Sequence, residues 1–152
     1  MAQANIELLK KLRSETSASI ADCRRALEEN DNNFDKAAQW IKDNAIMKAE
    51  KKSDRATEQG MIDTYVNNNR IGVLVELLCE TDFVARTDDF RKLARELAMQ
   101  ISAMNPENVE ALLKQEYIRD ASKTIEQVIK GVIGTLGENI TVKRFARYEL
   151  GE

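Results

Sequence analysis

Histidine is absent from this chain of 152 residues, and only one proline, six glycines and two cysteines occur. Without histidine, Ser-His-Asp catalysis, Cys-His catalysis and histidine-ligated metal sites are all excluded. Two cysteines alone cannot complete a structural zinc site, so we expect no metal and no cofactor. Cys23 and Cys79 each lie among apolar residues, and we expect two buried thiols in a reducing, cytoplasmic environment.

Excess positive charge and long apolar runs are also missing. The formal net charge is −3 at pH 7, and neither half of the chain carries the basic field that phosphate binding normally requires. We therefore expect no direct contact with nucleic acid. No apolar run approaches the roughly 20 residues that span a bilayer, so we expect no membrane insertion. The charged, amphipathic N-terminus does not match a signal peptide.

The first 45 residues carry apolar residues at helical spacing in three short stretches. Ser19 is a candidate N-cap for the second helix, and Asn33 for the third. This pattern predicts a compact three-helix domain over residues 1–45. Residues 46–57 are charged, favour helix and contain no Gly or Pro, which predicts a helical, solvated linker.

From residue 58 onward the periodicity becomes that of strands. Two β-rich runs, "GMIDTYV" and "RIGVLVELLCE", flank "NNN" at 67–69, which predicts a hairpin. In the second run Leu74 and Leu78 lie on the face opposite to Val75. Both faces of this strand are therefore partly apolar, which favours a central strand that is covered on both sides.

The remainder of the chain predicts helices followed by one last strand. Phe90 to Ile101 follow the i, i+3, i+4 pattern of an amphipathic helix, and the tail "ENITVKRFARYELGE" alternates imperfectly, as for a strand with a bulge or an exposed Phe145. We predict an α+β fold: a small antiparallel three-stranded sheet covered by helices in a core domain over 58–152, preceded by the three helices. Helix boundaries are predicted at Thr87 or Asp88, at Asn105–Pro106, at Ser122 and at Gly137.

Four segments in this order resemble the elongation factor Ts family. "LRSETSASIADCRRALEENDNNFDKAAQWI" resembles its N-terminal domain, which has a ubiquitin-associated-like fold, and "KAEKKSDRATEQG" resembles its linker. "ETDFVAR" after the apolar strand resembles its hallmark motif, and "GENITVKRFARYELGE" resembles its closing strand. The resemblance runs from about Ile6 to Glu152.

This resemblance implies a translation factor that exchanges guanine nucleotide on elongation factor Tu without covalent chemistry, and so not an enzyme. It implies that Asp82 and Phe83 insert into the nucleotide domain of the partner, where the ring fills an apolar pocket and magnesium and phosphate contacts are disturbed. Thr81 is expected to shape the turn and Val84 to pack beside Phe83. These four residues are the predicted partner-binding motif.

The N-terminal helices are a second candidate contact with the partner, through Arg13, Ile20 and Ala21. Here the chain departs from the family, because "TSAS" at 16–19 replaces the usual Thr-Gly-Ala-Gly and Ile20-Ala21 replaces a frequent Met-Met pair. For these three positions, an ordinary surface role is an equally good interpretation.

Length is the largest departure from the family. Long members carry a second core subdomain and a helical hairpin that this chain lacks, and short members are expected to form homodimers. The apolar face that contains Leu74 and Leu78 would suit an interface between two subunits, although burial under helices of the same chain is an alternative.

Other functions remain open from the residues alone. Asp82 could be a helix cap and Phe83 a core residue, and the three-helix domain could belong to an adaptor that binds another protein. A carboxylate enzyme around Glu76, Glu80 and Asp82 ranks last. Glu76 and Glu80 would lie about 13 Å apart at ~3.3 Å per residue, beyond the roughly 5–9.5 Å of an acid–base pair.

Overall fold

The computed structural model describes residues 2–152 of the chain. The fold is α+β, as predicted, with helices at the N-terminus followed by a small antiparallel sheet and further helices. In chain order the elements are α1 (Ile6–Thr16), α2 (Ile20–Glu29), α3 (Phe34–Lys52), β1 (Gln59–Asn67), β2 (Ile71–Cys79), α4 (Asp82–Ala85), α5 (Asp88–Met104), α6 (Val109–Lys114), β3 (Glu116–Tyr117), β4 (Asp120–Thr124), α7 (Ile125–Leu136) and β5 (Ile140–Glu149).

The three N-terminal helices have polar caps and their own apolar core. The side chains of Asn5, Ser19 and Asn33 each accept a hydrogen bond from a backbone N–H in the first turn of the helix that follows. This satisfies donors that a helix start leaves without partners. The core of this unit consists of Leu12, Cys23, Ala26, Leu27, Ala37 and Ile41.

The third helix continues beyond residue 45 to Lys52, through most of the predicted linker. It is not solvated on every side, because Ala49 is buried in the core that surrounds the sheet. Ala45 meets Gly134 of α7 so closely that a Cβ atom on Gly134 would lie 2.6 Å from the Cβ of Ala45. This close approach fixes α3 against α7. The division into domains at 45 and 57 stays a prediction.

The sheet has the order β1-β2-β5, and all its pairs are antiparallel. Asn68 and Asn69 both adopt positive φ, which closes the predicted hairpin between β1 and β2. The strand β2 is central, as predicted. The expectation that it is covered on both sides is wrong within this chain, because Leu74 on the outer face is 48% exposed and no helix buries it. Its inner face, which lies against α5, is buried and consists of Val73, Val75, Leu77 and Cys79.

The last strand contains the predicted bulge. Arg144 pairs with Glu76 while Val142 pairs with Leu77, so Lys143 is the extra residue. The bulge moves Phe145 to the inner side of the sheet, where it packs, partly buried, against the core.

The segment between α5 and α7 differs from the prediction. Asn105 ends α5 with φ 46 instead of starting a helix before Pro106, and Asn108 caps α6. Residues 116–124 form the β3–β4 hairpin, so Thr124, and not Ser122, caps α7. These strands are too short to show periodicity in the sequence, and tertiary bonds hold them in place, among them those of the buried Gln100 side chain to Glu116 and Ile118.

Over residues 2–152, no helix combines the length and the apolar character that crossing a membrane requires.

Candidate partner-binding site

The Thr-Asp-Phe-Val motif lies directly after the central strand, in a four-residue helix. Thr81 is the N-cap of α4, and its hydroxyl oxygen accepts a hydrogen bond from the N–H of Val84 at 3.3 Å. Thr87 ends this segment and begins the next helix, since its hydroxyl donates to the carbonyl of Val84 and accepts from the N–H of Phe90. Two threonines thus fix a tight backbone path between β2 and α5.

Phe83 points away from the protein. It is 83% exposed, the largest exposed fraction of any large hydrophobic side chain in residues 2–152. The following residues, Val84 and Ala85, are buried in the core at 6% and 7%. The interpretation of Phe83 as a core residue is therefore wrong, and Val84 belongs to the core of its own chain instead of forming one surface with the ring. Exposing an apolar ring to water is unfavourable. An exposed phenylalanine on a rigid backbone is therefore typical of a residue that a partner covers.

Asp82 is exposed and pairs with the guanidinium of Arg86 one helical turn later, at 2.6 Å. The cap of α4 is Thr81, so the interpretation of Asp82 as the helix cap is wrong. An exposed i, i+4 pair is worth only about 0.3–0.5 kcal/mol, so a partner can replace it at little cost. Asp82 therefore remains available for a second interaction.

Glu138, in the loop between α7 and β5, binds the start of the motif from a distant part of the chain. Its carboxylate accepts from the Thr81 N–H at 2.9 Å and from the Thr81 hydroxyl at 2.7 Å. The thiol of Cys79 donates to the Thr81 carbonyl at 3.1 Å. Burial, and next the charge of Glu138, raise the pKa of the Cys79 thiol above its ordinary value. No local sequence signal indicates the role of Glu138, because 57 residues separate it from Thr81.

A cleft of about 560 Å³ lies beside the motif, between β1, α4 and the first turns of α5. Asp82 and Arg86 form part of its wall, and its other charged residues are Asp63, Arg91, Lys92 and Arg95. Arg86 pairs with Asp82 and Arg95 with Asp63. Within residues 2–152, Arg91 and Lys92 make no ion pair, so the cleft is positive although the chain as a whole is acidic.

The second candidate contact lies elsewhere, on the N-terminal helices. Arg13 on α1 and both Ile20 and Ala21 at the start of α2 are exposed. Ile20 is 45% exposed although its side chain is apolar. These three residues lie on helices whose apolar core is separate from the one that contains Val84.

The carboxylates of the enzyme hypothesis are engaged in ion pairs. Glu76 binds Arg144 at 2.7 Å, and Glu80 binds Arg55 at 3.5 Å and accepts from the Asn139 N–H at 3.0 Å. Cross-strand and loop pairs of this kind are structural. In the part of the chain that the structure describes, no group of three or more Cys, Asp or Glu residues is arranged to hold a metal ion.

Comparison with known proteins links the two ends of the chain to one family. A family model described as "Elongation factor TS" matches residues 80–152, and one described as "Elongation factor Ts, mitochondrial, N-terminal" matches residues 1–50. The first match begins one residue before the motif and includes Glu138.

Relatives named "Elongation factor Ts" cover the chain from end to end. One from Oleidesulfovibrio alaskensis is 39% identical over 197 positions, with 99% of this chain and 100% of the relative covered. One from Coprothermobacter proteolyticus is 39% identical over 196 positions, with the same coverage. Both alignments are longer than the chain, so parts of these relatives have no counterpart in it. A third, from Nostoc sp., is 43% identical over 151 residues, and the chain spans 48% of its length.

Proposed function

Since the chain belongs to the elongation factor Ts family, we propose that it is a translation factor that binds elongation factor Tu and promotes the release of GDP. The observation that carries this proposal is the position of Phe83, 83% exposed on a short helix whose next two residues, Val84 and Ala85, are buried in the core. The ring is available at the surface, and its backbone is held in one place.

The proposed mechanism is insertion of Phe83 into an apolar pocket of the nucleotide domain of elongation factor Tu. Burial of an aromatic anchor at the centre of an interface contributes roughly 2–4 kcal/mol. Magnesium requires near-ideal octahedral geometry, with oxygen ligands at about 2.0–2.1 Å. If the inserted ring displaces the loop of elongation factor Tu around the metal by about an ångström, the metal is bound less tightly, and the nucleotide with it. On binding, the carboxylate of Asp82 gives up its ion pair with Arg86 and accepts hydrogen bonds from donors on the partner. The chain itself forms and breaks no covalent bond.

Exchange follows from thermodynamic linkage. If the chain binds elongation factor Tu more tightly without nucleotide than with GDP, it must weaken GDP binding by the same factor. Binding of GTP then displaces the chain in turn. Neither half of this cycle needs a catalytic side chain or a cofactor, and both take place in the cytoplasm.

The positive cleft beside Phe83 favours an acidic surface on the partner. Arg91 and Lys92 are exposed and free of ion pairs within residues 2–152, so they can attract opposite charge during encounter. A contact there would orient the ring before it inserts. Arg13, Ile20 and Ala21 provide a second contact on the N-terminal helices.

We further propose that two copies of the chain pair through the outer face of the sheet. Four apolar side chains form an apolar strip on this face, with exposed fractions from 48% for Leu74 to 78% for Tyr148; the other two are Ile62 and Val66. Val66 and Tyr148 pair with Gly72 from either side, and Leu74 lies in the next row of the same face. Such a strip is unfavourable in water and is typical of an interface. Relatives that align over their whole length contain segments with no counterpart in this chain, and a second copy would cover the sheet in their place.

Affinity for the two states of the partner tests the exchange function. The chain is titrated against elongation factor Tu that has been stripped of nucleotide, and against the same protein loaded with GDP and magnesium. We expect tighter binding to the stripped protein. Equal affinities would rule out exchange by this chain, because a ligand without preference for either state cannot shift nucleotide binding.

A further inference from the structure

The loop between α7 and β5 makes hydrogen bonds both to the Thr-Asp-Phe-Val motif and to the segment that follows α3. Gly137 ends α7 with φ 78, and Glu138 and Asn139 follow before β5 begins. Glu138 accepts both polar hydrogens of Thr81, which caps the helix that carries Phe83. The motif is thereby anchored to the loop that leads into β5, the neighbour of β2 in the sheet.

Asn139 binds the segment that follows α3. Its side-chain amide donates to the carbonyl of Arg55 at 2.8 Å and to that of Ser53 at 3.4 Å, and its N–H donates to Glu80 at 3.0 Å. Glu80 in turn pairs with Arg55 at 3.5 Å. Asn139 is only 4% exposed, so these bonds form in a dry environment where they are stronger than at the surface.

Phe83 depends on such anchoring because its ring makes few contacts of its own. Its direction is set by the backbone of α4, which is held by burial of Val84 and Ala85 on one side and by Thr81 at its start. If the bonds to Thr81 are lost, the first turn of α4 can fray, as unrestrained helix ends do. The ring would then sample many directions, and ordering it again would weaken association.

We propose that Glu138 and Asn139 form a positioning clamp. The clamp fixes Phe83 relative to the end of α3, and so relative to the N-terminal helices that carry Arg13, Ile20 and Ala21. It allows both contacts on elongation factor Tu to form without a further loss of conformational entropy. This inference rests on the proposed exchange function and adds two positioning residues to it. Neither residue needs to touch the partner or the nucleotide.

Glu138→Ala tests the clamp, with Glu126→Ala as the matched control. Glu126 is exposed at the opposite end of α7 and pairs with Lys130, so the chemical change is the same and the motif is not involved. Release of labelled GDP from elongation factor Tu is measured over a range of concentrations of each variant. For Glu138→Ala we expect the half-saturating concentration to rise about tenfold, while the maximal rate stays within about twofold, because the ring is still present.

Two further readouts separate positioning from a general loss of structure. Amide hydrogen exchange should accelerate at Thr81 and Val84 in Glu138→Ala but not at Phe90, whose N–H is bonded to Thr87. Glu138→Gln, which keeps one acceptor oxygen, should recover part of the lost affinity.

The inference is overturned if Glu138→Ala matches Glu126→Ala both in half-saturating concentration and in exchange at Thr81. It is also overturned if Phe90 loses protection together with Thr81, because the effect would then be global. If the unmodified chain does not accelerate GDP release at all, the proposed function itself fails. Failure of the proposed function is distinguishable from failure of the clamp, because it is seen with the unmodified chain alone.

Discussion

Phe83 and Val84 are consecutive residues whose side chains lie in opposite environments, one 83% exposed and the other 6% exposed. A single helical turn after β2 produces this division, since Thr81 caps the turn and Val84 and Ala85 anchor it. Val84 therefore contributes to stability, whereas Phe83 is free for the proposed binding of the partner. Mutation of each residue tests the two roles separately.

Val84→Ala should destabilise the fold, whereas Phe83→Ala should leave its stability almost unchanged. Val84→Ala removes buried methyl groups and should lower the free energy of unfolding by roughly 1–3 kcal/mol. Phe83→Ala removes only exposed surface and should change it by less than about 0.5 kcal/mol. Denaturant unfolding of both variants measures this. A large loss of stability in Phe83→Ala would show that the ring is part of the fold.

Two glycines of α7 provide a matched pair for the contact between α3 and α7. A Cβ atom on Gly134 would lie 2.6 Å from Ala45, whereas one on Gly131 meets no atom within 4 Å. Gly134→Ala should therefore lower the free energy of unfolding by about 1–3 kcal/mol through overpacking. Gly131→Ala should raise it by about 0.5–1 kcal/mol through better helix propensity. Thermal or denaturant unfolding distinguishes them, and equal effects would contradict the close packing of the helices.

Alkaline pH should weaken the attachment of the β3–β4 hairpin to α5. Tyr117 donates a hydrogen bond to Glu96 at 2.8 Å, and burial, followed by this bond, raises the pKa of Tyr117 to about 12. The folded state thus retains the proton more strongly than the unfolded state, whose tyrosine titrates near pH 10. The stability that this provides is complete below about pH 10 and is lost as the pH rises towards about 12.

Tyr117→Phe is the control for this titration, because it lacks the ionisable group. The difference in free energy of unfolding between the unmodified chain and Tyr117→Phe should shrink between about pH 10 and 12. Urea unfolding at a series of pH values gives this difference. A difference that stays constant over the range would mean that Tyr117 is not perturbed by the fold.

Much of the architecture could be predicted from local signals. Capping residues act within a single turn, so the sequence predicts helix ends at Asn33, Thr87 and Gly137, and each has that role in the structure. The turn at 67–69 was predictable for the same reason, since asparagine tolerates positive φ.

Long-range interactions could not be predicted in this way. The β3–β4 hairpin was missed because bonds to α5, and not its own pattern, stabilise it, including those of Glu96 to Tyr117 and Arg119. Glu138 was missed because its only distinctive feature is a pair of bonds to Thr81, 57 residues earlier. A carboxylate after a helix end is common, and nothing in its neighbourhood indicates the partner.

The outer face of the sheet should determine the oligomeric state. Leu74→Glu places a charge at the centre of the apolar strip and should convert a dimer into a monomer, because a buried unpaired charge is costly. Ile118→Glu, at a 43% exposed position on the β3–β4 turn, is the control and should not change the mass. Size-exclusion chromatography with light scattering measures the molar mass of each variant in solution. A monomeric unmodified chain would contradict the proposed pairing.

The positive cleft should control encounter with the partner. A double variant, Arg91→Glu with Lys92→Glu, should raise the half-saturating concentration for GDP release about tenfold at low ionic strength, with a smaller effect at high salt. Lys36→Glu with Lys42→Glu makes the same change in net charge on α3. If the half-saturating concentration rises equally in the two double variants, association depends on the net charge of the chain and not on the cleft.

Insertion of the Phe83 ring as the cause of nucleotide release is tested by the rate of GDP release from elongation factor Tu, measured with saturating unmodified chain and with saturating Phe83→Ala. Leu150→Ala, which also truncates an exposed apolar side chain at 64% exposure, serves as the control. We predict that the unmodified chain and Leu150→Ala accelerate release equally, and that Phe83→Ala loses roughly tenfold or more of the acceleration while it remains folded. Equal acceleration by the folded Phe83→Ala variant would rule out insertion of the ring as the cause of release.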